Sequence, residues 1–348
     1  TLARKLVSAH LSTNPKKIGI FVFGFSKKES ERVAEAIISA ALAASATMPV
    51  FKSKKQTSSS LEKIILFGLH ARHGFKQSFA VAEGNALTRS LSILPSNKLT
   101  PTHYLKKIKE VAKENKWKLE FYDEATLRRK KAGAFLAVSQ GSPKADAGIV
   151  RLRYTPKRAA KSKKVFLVGK GICYDTGGTN LKPANYMFGM HEDMQGSAVA
   201  LGTLLALTKL NFNRPVECWM ALAMNHIGPK AYKPNDVIHA SDGTTIEVVH
   251  TDAEGRMVLA DTLVLASKEK PALIDKDENF RDLSAIIRDL NPETLNFETI
   301  DKINKVEISS LPKLDSNLRI GACVSKPSKF IGIGLNFKDH AEEQNLPI

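Results

Sequence analysis

Short apolar runs alternate with longer stretches of helical character along most of the chain, and that alternation predicts an α/β fold. Ile18-Gly19-Ile20-Phe21-Val22-Phe23 and Ile64-Ile65-Leu66-Phe67-Gly68 are continuous enough to be buried strands. Glu29 to Ala44 between them has helical composition, and Lys52 to Ser60 is a polar, Ser-rich loop. Phe79 to Ile93 predicts a further helix that runs into the turn-rich link Leu94 to Pro101. A new helix should start at Thr100-Pro101. Beyond it the pattern predicts a strand at Val165 to Val168, a helix from Met194 to Leu210, a strand from Val216 to Ala223 and a helix from Arg256 to Ser267.

These textures divide the chain into three. Residues 1–78 read as a small α/β domain, and residues 79–275 as an α/β/α layer around a mixed sheet. Residues 276–348 change to short strands broken by Pro and Gly, a β-rich fragment, and no internal repeat is visible.

Composition adds size and surface. A chain of 348 residues with 43% hydrophobic positions can build two or three domains with cores. No apolar run reaches the length of a bilayer span, which predicts a soluble protein. The chain opens on Thr1 with no initiator Met and no apolar leader, as expected of a protein that is not a secretory precursor, or of one trimmed at its N-terminus. Cys173, Cys218 and Cys323 lack short paired spacing, which argues against a disulfide framework or a Cys-rich zinc site and for a reducing cytoplasm. The net charge of +17 gathers in Arg128-Arg129-Lys130-Lys131 and from Arg151 to Lys164. Such a surface attracts polyanions, DNA among them, although a solvated lysine-rich surface is the plainer reading. No helix-turn-helix, zinc-finger or RNA-binding signature accompanies it.

Candidate chemistry sits where strands end. Gly169-Lys170-Gly171 follows the Val165 strand, and Tyr174-Asp175-Thr176-Gly177-Gly178 comes next. Open α/β sheets place their sites beyond the carboxyl ends of strands. Lys182 follows within seven residues of Asp175, and Asp193 stands at the start of the next helix. His250-Thr251-Asp252-Ala253-Glu254-Gly255-Arg256 then follows the apolar run Ile246 to Val249. Three aspartates and a glutamate converging at strand ends repel one another unless cations intervene. Hard divalent metals with oxygen ligands are the natural remedy. Two of them about 3.5–4 Å apart can share carboxylates and activate water near neutral pH.

Val168 to Lys182 and Thr251 to Arg256 closely resemble the leucyl aminopeptidase family of dinuclear metallopeptidases. That family carries a VGKG, an FDSGG, a KP lysine, a DM aspartate and an NTDAEGR, and the intervals agree, including the long one from Lys170 to Asp252. Leu94 to Pro101 resembles the family's P-x-N-x-x-T-P link, and the likeness runs from near the N-terminus to about Asp275. It implies a cytoplasmic metal-dependent aminopeptidase that releases N-terminal residues, with a leucine-type preference, from peptides as a homo-hexamer. Asp175, Asp252 and Glu254 would hold one divalent ion, and Lys170, Asp175, Asp193 and Glu254 the other, with Mn²⁺ or Zn²⁺ as the metals. Lys170 would bind as a neutral amine. Lys182 would polarise the scissile carbonyl and stabilise its oxyanion. Arg256 would hold a bicarbonate serving as general base, and Met190 would line the pocket for the first side chain. Some members of that family also bind DNA, and the net charge of +17 keeps that reading open here.

Departures from the pattern are His250 in place of Asn, Ala223-Met224-Asn225 in place of a Glu-Asn pair, and Thr179-Asn180. None removes a ligand. After Asp275 the family's LTG loop and closing strands are not found. Ile331 to Glu343 instead resembles the N-terminal region of fumarylacetoacetate hydrolase family proteins. His340 and Glu343 match its catalytic pair, but the family's metal carboxylates have no counterpart here. A join near Asp275 is the expectation, with peptidase activity weakened by the loss of the loop. An inactive fusion or truncation product and a basic DNA-binding protein are the alternatives at this level.

Overall fold

The structure is a computed structural model that describes residues 2–11, 15–53, 61–69, 74–156 and 164–267. All of these fall in one compact unit, residues 1–268. The hydrolase-like stretch 276–348, with His340, Glu343 and the expected join at Asp275, lies outside the described residues.

The chain opens with α1 (Leu2–Leu11), β1 (Lys17–Phe21), α2 (Lys27–Ser45) and β2 (Lys63–Phe67). β1 and β2 pair in parallel, with Ile18 opposite Ile64 and Ile20 opposite Leu66, as a strand–helix–strand crossover requires. α2 begins where Ser26 caps it. The Ser26 hydroxyl accepts from the Glu29 amide, and the Glu29 carboxylate accepts from the Ser26 amide, which satisfies two otherwise orphaned donors. Ile20, Ala34, Ile38 and Phe75 make a small core there.

α3 (Lys76–Ser92) leads to α4 (Pro101–Glu114), which Thr100 caps with Pro101 at its first position. α4 buries Tyr104, Ile108 and Ala112, the four-residue spacing of one helix face. Then follow β3 (Lys118–Asp123), α5 (Glu124–Arg129), α6 (Gly133–Ser139), β4 (Gly148–Tyr154), β5 (Val165–Asp175) and α7 (Ala184–Met187). The described part ends with α8 (Gln195–Lys209), β6 (Val216–Asn225), the hairpin strands β7 (Val237–His239) and β8 (Thr245–Glu247), and α9 (Glu254–Ser267).

The main sheet is mixed, in the order β3-β4-β6-β5. β3–β4 and β4–β6 are antiparallel and β5–β6 is parallel. β6 explains the layering. Cys218, Met220 and Leu222 join Tyr104 and Leu204 in one core, while Trp219, Ala221 and Ala223 join Phe135 and Val258 in the other. Alternate side chains point to opposite faces, so a strand with helices on both sides carries apolar residues on both faces, as β6 does from Cys218 to Ala223. Among the described residues no helix is long and apolar enough to cross a membrane.

Two of the differences from the sequence pattern have a clear physical cause. β5 does not stop at Val168 but continues to Asp175, with Lys170 opposite Ala221 and a bulge between Ile172 and Asp175. Gly169 is a packing residue inside the strand, because a Cβ there would lie 2.5 Å from the Gly196 carbonyl oxygen at the start of α8. The second difference is β4, whose apolar pattern is broken by Arg151. That side chain is buried, and its guanidinium donates to both Glu217 carboxylate oxygens at 2.8 and 2.9 Å while lying 5.0 Å from the Trp219 ring centre. A charge satisfied inside the sheet disguises a buried strand as a polar one.

Candidate metal centre

β5 and β6 run in parallel and end side by side, with Asp175 opposite Asn225. The chain leaves β5 through a tight loop. Gly178 has φ +68°, and a Cβ there would meet the Thr251 hydroxyl at 2.9 Å, so both conformation and space require glycine. The second contributing segment is the 3₁₀ turn Thr251–Ala253 leading directly into α9. His250 caps that turn, its ring Nδ1 accepting from the Asp252 amide at 3.2 Å. The third is the 3₁₀ turn Met190–Glu192, with Asp193 just after it and Met194 before α8.

These segments bring six predicted residues together as two linked clusters. Lys170 Nζ lies 2.7 Å from the Asp193 carboxylate and 2.6 Å from Glu254 Oε1. Lys182 Nζ lies 3.2 Å from Asp175 Oδ2 and 2.6 Å from Asp252 Oδ1. One ligand atom from each of Asp175, Asp252 and Glu254 lies within 4.8 Å of the others, which joins the two. Asp175 and Glu254 are buried. Met190 is half-buried on its turn and Arg256 is exposed on α9. Among the described residues neither takes part in these ion pairs.

Four carboxylates face two ammonium groups, so the centre is short of positive charge. Burial drives Glu254 up to about 8, against the pull of Lys170 and with further repulsion from Asp175 and Asp193. Burial likewise lifts Asp193 to about 6, with Lys170 opposing and Asp175 adding to the rise. Asp252 is raised by burial and by Asp175, although Lys182 pulls it down. Burial opposes the charge on Lys170, yet Glu254 and Asp193 outweigh it and raise its pKa. Lys182 is raised in the same way by Asp175 and Asp252. Glu254 Oε2 is buried with no hydrogen-bond partner among the described residues, an expensive state for a carboxylate oxygen. The donor set is oxygen-rich with one amine nitrogen, partly buried and deficient in cations. It fits divalent metal ions.

The neighbouring polar residues were not singled out as functional by the sequence reading. Asn225 Nδ2 donates to Asp175 Oδ1 at 2.8 Å and to the Thr251 carbonyl at 3.1 Å. The Tyr232 hydroxyl donates to the same carbonyl at 2.6 Å. Thr251 stands inside the His250–Arg256 motif and Asn225 at a strand end, so position could have flagged both. Tyr232 carries no local signal.

A model of the catalytic domain of the cytosol aminopeptidase family matches residues 86–276. The chain belongs to the cytosol aminopeptidase family. It is 42% identical over 232 residues to a probable cytosol aminopeptidase of Stutzerimonas stutzeri, covering 65% of this chain and 46% of that protein. It is 40% identical over 224 residues to its Corynebacterium diphtheriae counterpart, covering 63% and 44%. The chain thus spans about half the length of these relatives. Among solved structures, it is similar to the apo leucyl aminopeptidase of Trypanosoma cruzi, with a TM-score of 0.67 and 32% identity over 77% of this chain and 52% of that one. The bottromycin maturation enzyme BotP in complex with Mn gives a TM-score of 0.65 and 29% identity, over 78% of this chain and 57% of that one.

Proposed function

We propose that this chain is a metal-dependent aminopeptidase that removes N-terminal residues, leucine-type ones among them, from peptides. The observation that carries this reading is the convergence of Asp175, Asp193, Asp252, Glu254 and Lys170 in a partly buried centre short of positive charge. Asp175, Asp252 and Glu254 would hold one divalent ion, and Lys170, Asp175, Asp193 and Glu254 a second, Mn²⁺ or Zn²⁺. Two such ions supply an activated water and Lewis acidity toward a peptide carbonyl. Lys170 must then release its proton to act as a ligand. Lys182, paired with Asp175 and Asp252, is the group able to hold the developing oxyanion. Arg256 is the candidate holder of a bicarbonate base, and Met190 the candidate wall for the first side chain.

The test is Mn²⁺-dependent hydrolysis of leucine p-nitroanilide by the full chain. The reading expects release that ends with chelation and falls at least about 100-fold in Lys182→Ala, the scale of losing one oxyanion donor. Release that survives Lys182→Ala unchanged would contradict it.

The same reading extends to a cytoplasmic protein, to homo-hexamer formation, checked by sedimentation, and to functional domains at 1–78 and 79–275. The net charge of +17 supports a salt-dependent contact with DNA, checked by gel shift across salt. Residues 276–348 would be a fumarylacetoacetate hydrolase-like fragment, its His340 and Glu343 forming half of a site.

A further inference from the structure

Thr251 makes more loop-to-loop hydrogen bonds around the centre than the carboxylates it serves, although nothing suggests that it touches a metal. It is fully buried. Its hydroxyl donates to the Gly177 carbonyl at 2.6 Å and accepts from the Asn180 amide at 2.8 Å. Its own amide donates to Asn180 Oδ1 at 2.8 Å. Its carbonyl accepts from Tyr232 and Asn225, and Asn225 also holds Asp175. The Thr179 hydroxyl adds a bond to the Tyr232 carbonyl at 3.0 Å. One residue therefore ties the loop after Asp175, the end of β6 and the turn that carries Asp252.

We propose that Thr251 is a positioning residue that locks the Asp175 loop to the Asp252 turn, with Asn180 as its reciprocal partner, so that carboxylates from two distant segments hold their spacing before any cation arrives. The physical reason is electrostatic. Asp175 and Asp252 repel each other, and Lys182 between them is partly exposed. The Lys182 bridge offsets that repulsion only in part, so the two segments need a further cross-link to hold their spacing. The hydrogen bonds between Thr251 and the 177–180 stretch oppose their separation, and they need no metal. The inference rests on the two-metal reading only for the identity of what binds. Asn180, which departs from the family pattern, acquires a purpose here, since its side-chain oxygen closes the ring of bonds.

The experiment compares the full-length wild type with Thr251→Val, Thr251→Ser and Asn180→Ala. Amide hydrogen exchange on metal-free protein is the first readout, and Mn²⁺ titration by calorimetry the second. Valine keeps the shape and loses the hydroxyl, and serine restores it. The clamp predicts exchange at least about tenfold faster in both 177–182 and 250–254 for Thr251→Val, with β6 protection unchanged, and near wild-type exchange for Thr251→Ser. Asn180→Ala, at a half-buried surface position, should loosen the same two segments without threatening the fold. Mn²⁺ affinity should fall about tenfold or more in Thr251→Val and recover in Thr251→Ser, as for other groups that orient metal ligands. Unchanged exchange in 177–182, or loosening spread evenly over the whole chain, would overturn the proposal. If the wild type takes no Mn²⁺ while the exchange result holds, the two-metal reading falls and the clamp stands.

Discussion

Lys170 and Lys182 each bridge two carboxylates that arrive on different segments: Asp193 and Glu254 for the first, Asp175 and Asp252 for the second. Neither lysine has an ordinary surface role. Each partly neutralises a cluster that burial disfavours, and removing one leaves its carboxylates facing each other. Lys182→Ala should therefore cost the metal-free protein about 2 kcal/mol in urea unfolding, less than for breaking a fully buried pair because the side chain keeps some solvent contact. Mn²⁺ should recover part of that loss. An unaltered midpoint without metal would show that the pairing is not stabilising. His250, the departure beside the metal turn, is explained at this scale as well. It is exposed and caps the turn through the Asp252 amide, a task that Asn can also perform.

At the scale of elements, the loop from Asp175 to Lys182 is shaped by Gly178. An alanine there would adopt a left-handed conformation and press on the Thr251 hydroxyl. Gly178→Ala should lower stability by about 2 kcal/mol or more, measured by thermal unfolding. A silent substitution would mean that the loop relaxes more easily than its contacts indicate. Most elements near the site were legible in the sequence. The capped start of α4 at Thr100-Pro101 and the apolar run of β6 are local signals that tertiary structure keeps. The sequence pattern stops β5 short because Gly169 and Gly171 look like a strand end, whereas a helix packs on the bare backbone of the first. β4 was hidden by Arg151, whose partner Glu217 is 66 residues away. Sequence position names the candidate ligands, but Asn225 and Tyr232 acquire their roles only when β6 and the hairpin fold back on the turn.

For the molecule as a whole, the mixed sheet with helices on both faces brings the parallel ends of β5 and β6 together, as open α/β sheets do around their sites. Its central charge, Glu217, ties acid stability to the sheet. Burial alone would raise its pKa, but Arg151 and Lys164 outweigh burial and hold it below the usual carboxylate range. A carboxyl depressed in the folded state stabilises fully above its unfolded pKa, and that contribution disappears as pH falls through the folded value. The thermal midpoint should thus decline as pH drops below about 4.5. Glu217→Gln should be less stable at pH 7 and show a shallower acid decline. Parallel curves for the two proteins would remove Glu217 from the account.

The central claim is that the clustered carboxylates and lysine form a metal centre, and the thermal midpoint of the full chain with and without Mn²⁺ tests it most directly. A ligand that binds only the folded state stabilises it by mass action, by about 2.7 kcal/mol at a hundredfold excess over Kd. The account predicts a rise of several degrees at millimolar Mn²⁺, reversed by chelation and mostly lost in Asp252→Ala. A midpoint that does not move at millimolar Mn²⁺ or Zn²⁺, or one that moves equally in Asp252→Ala, would contradict it.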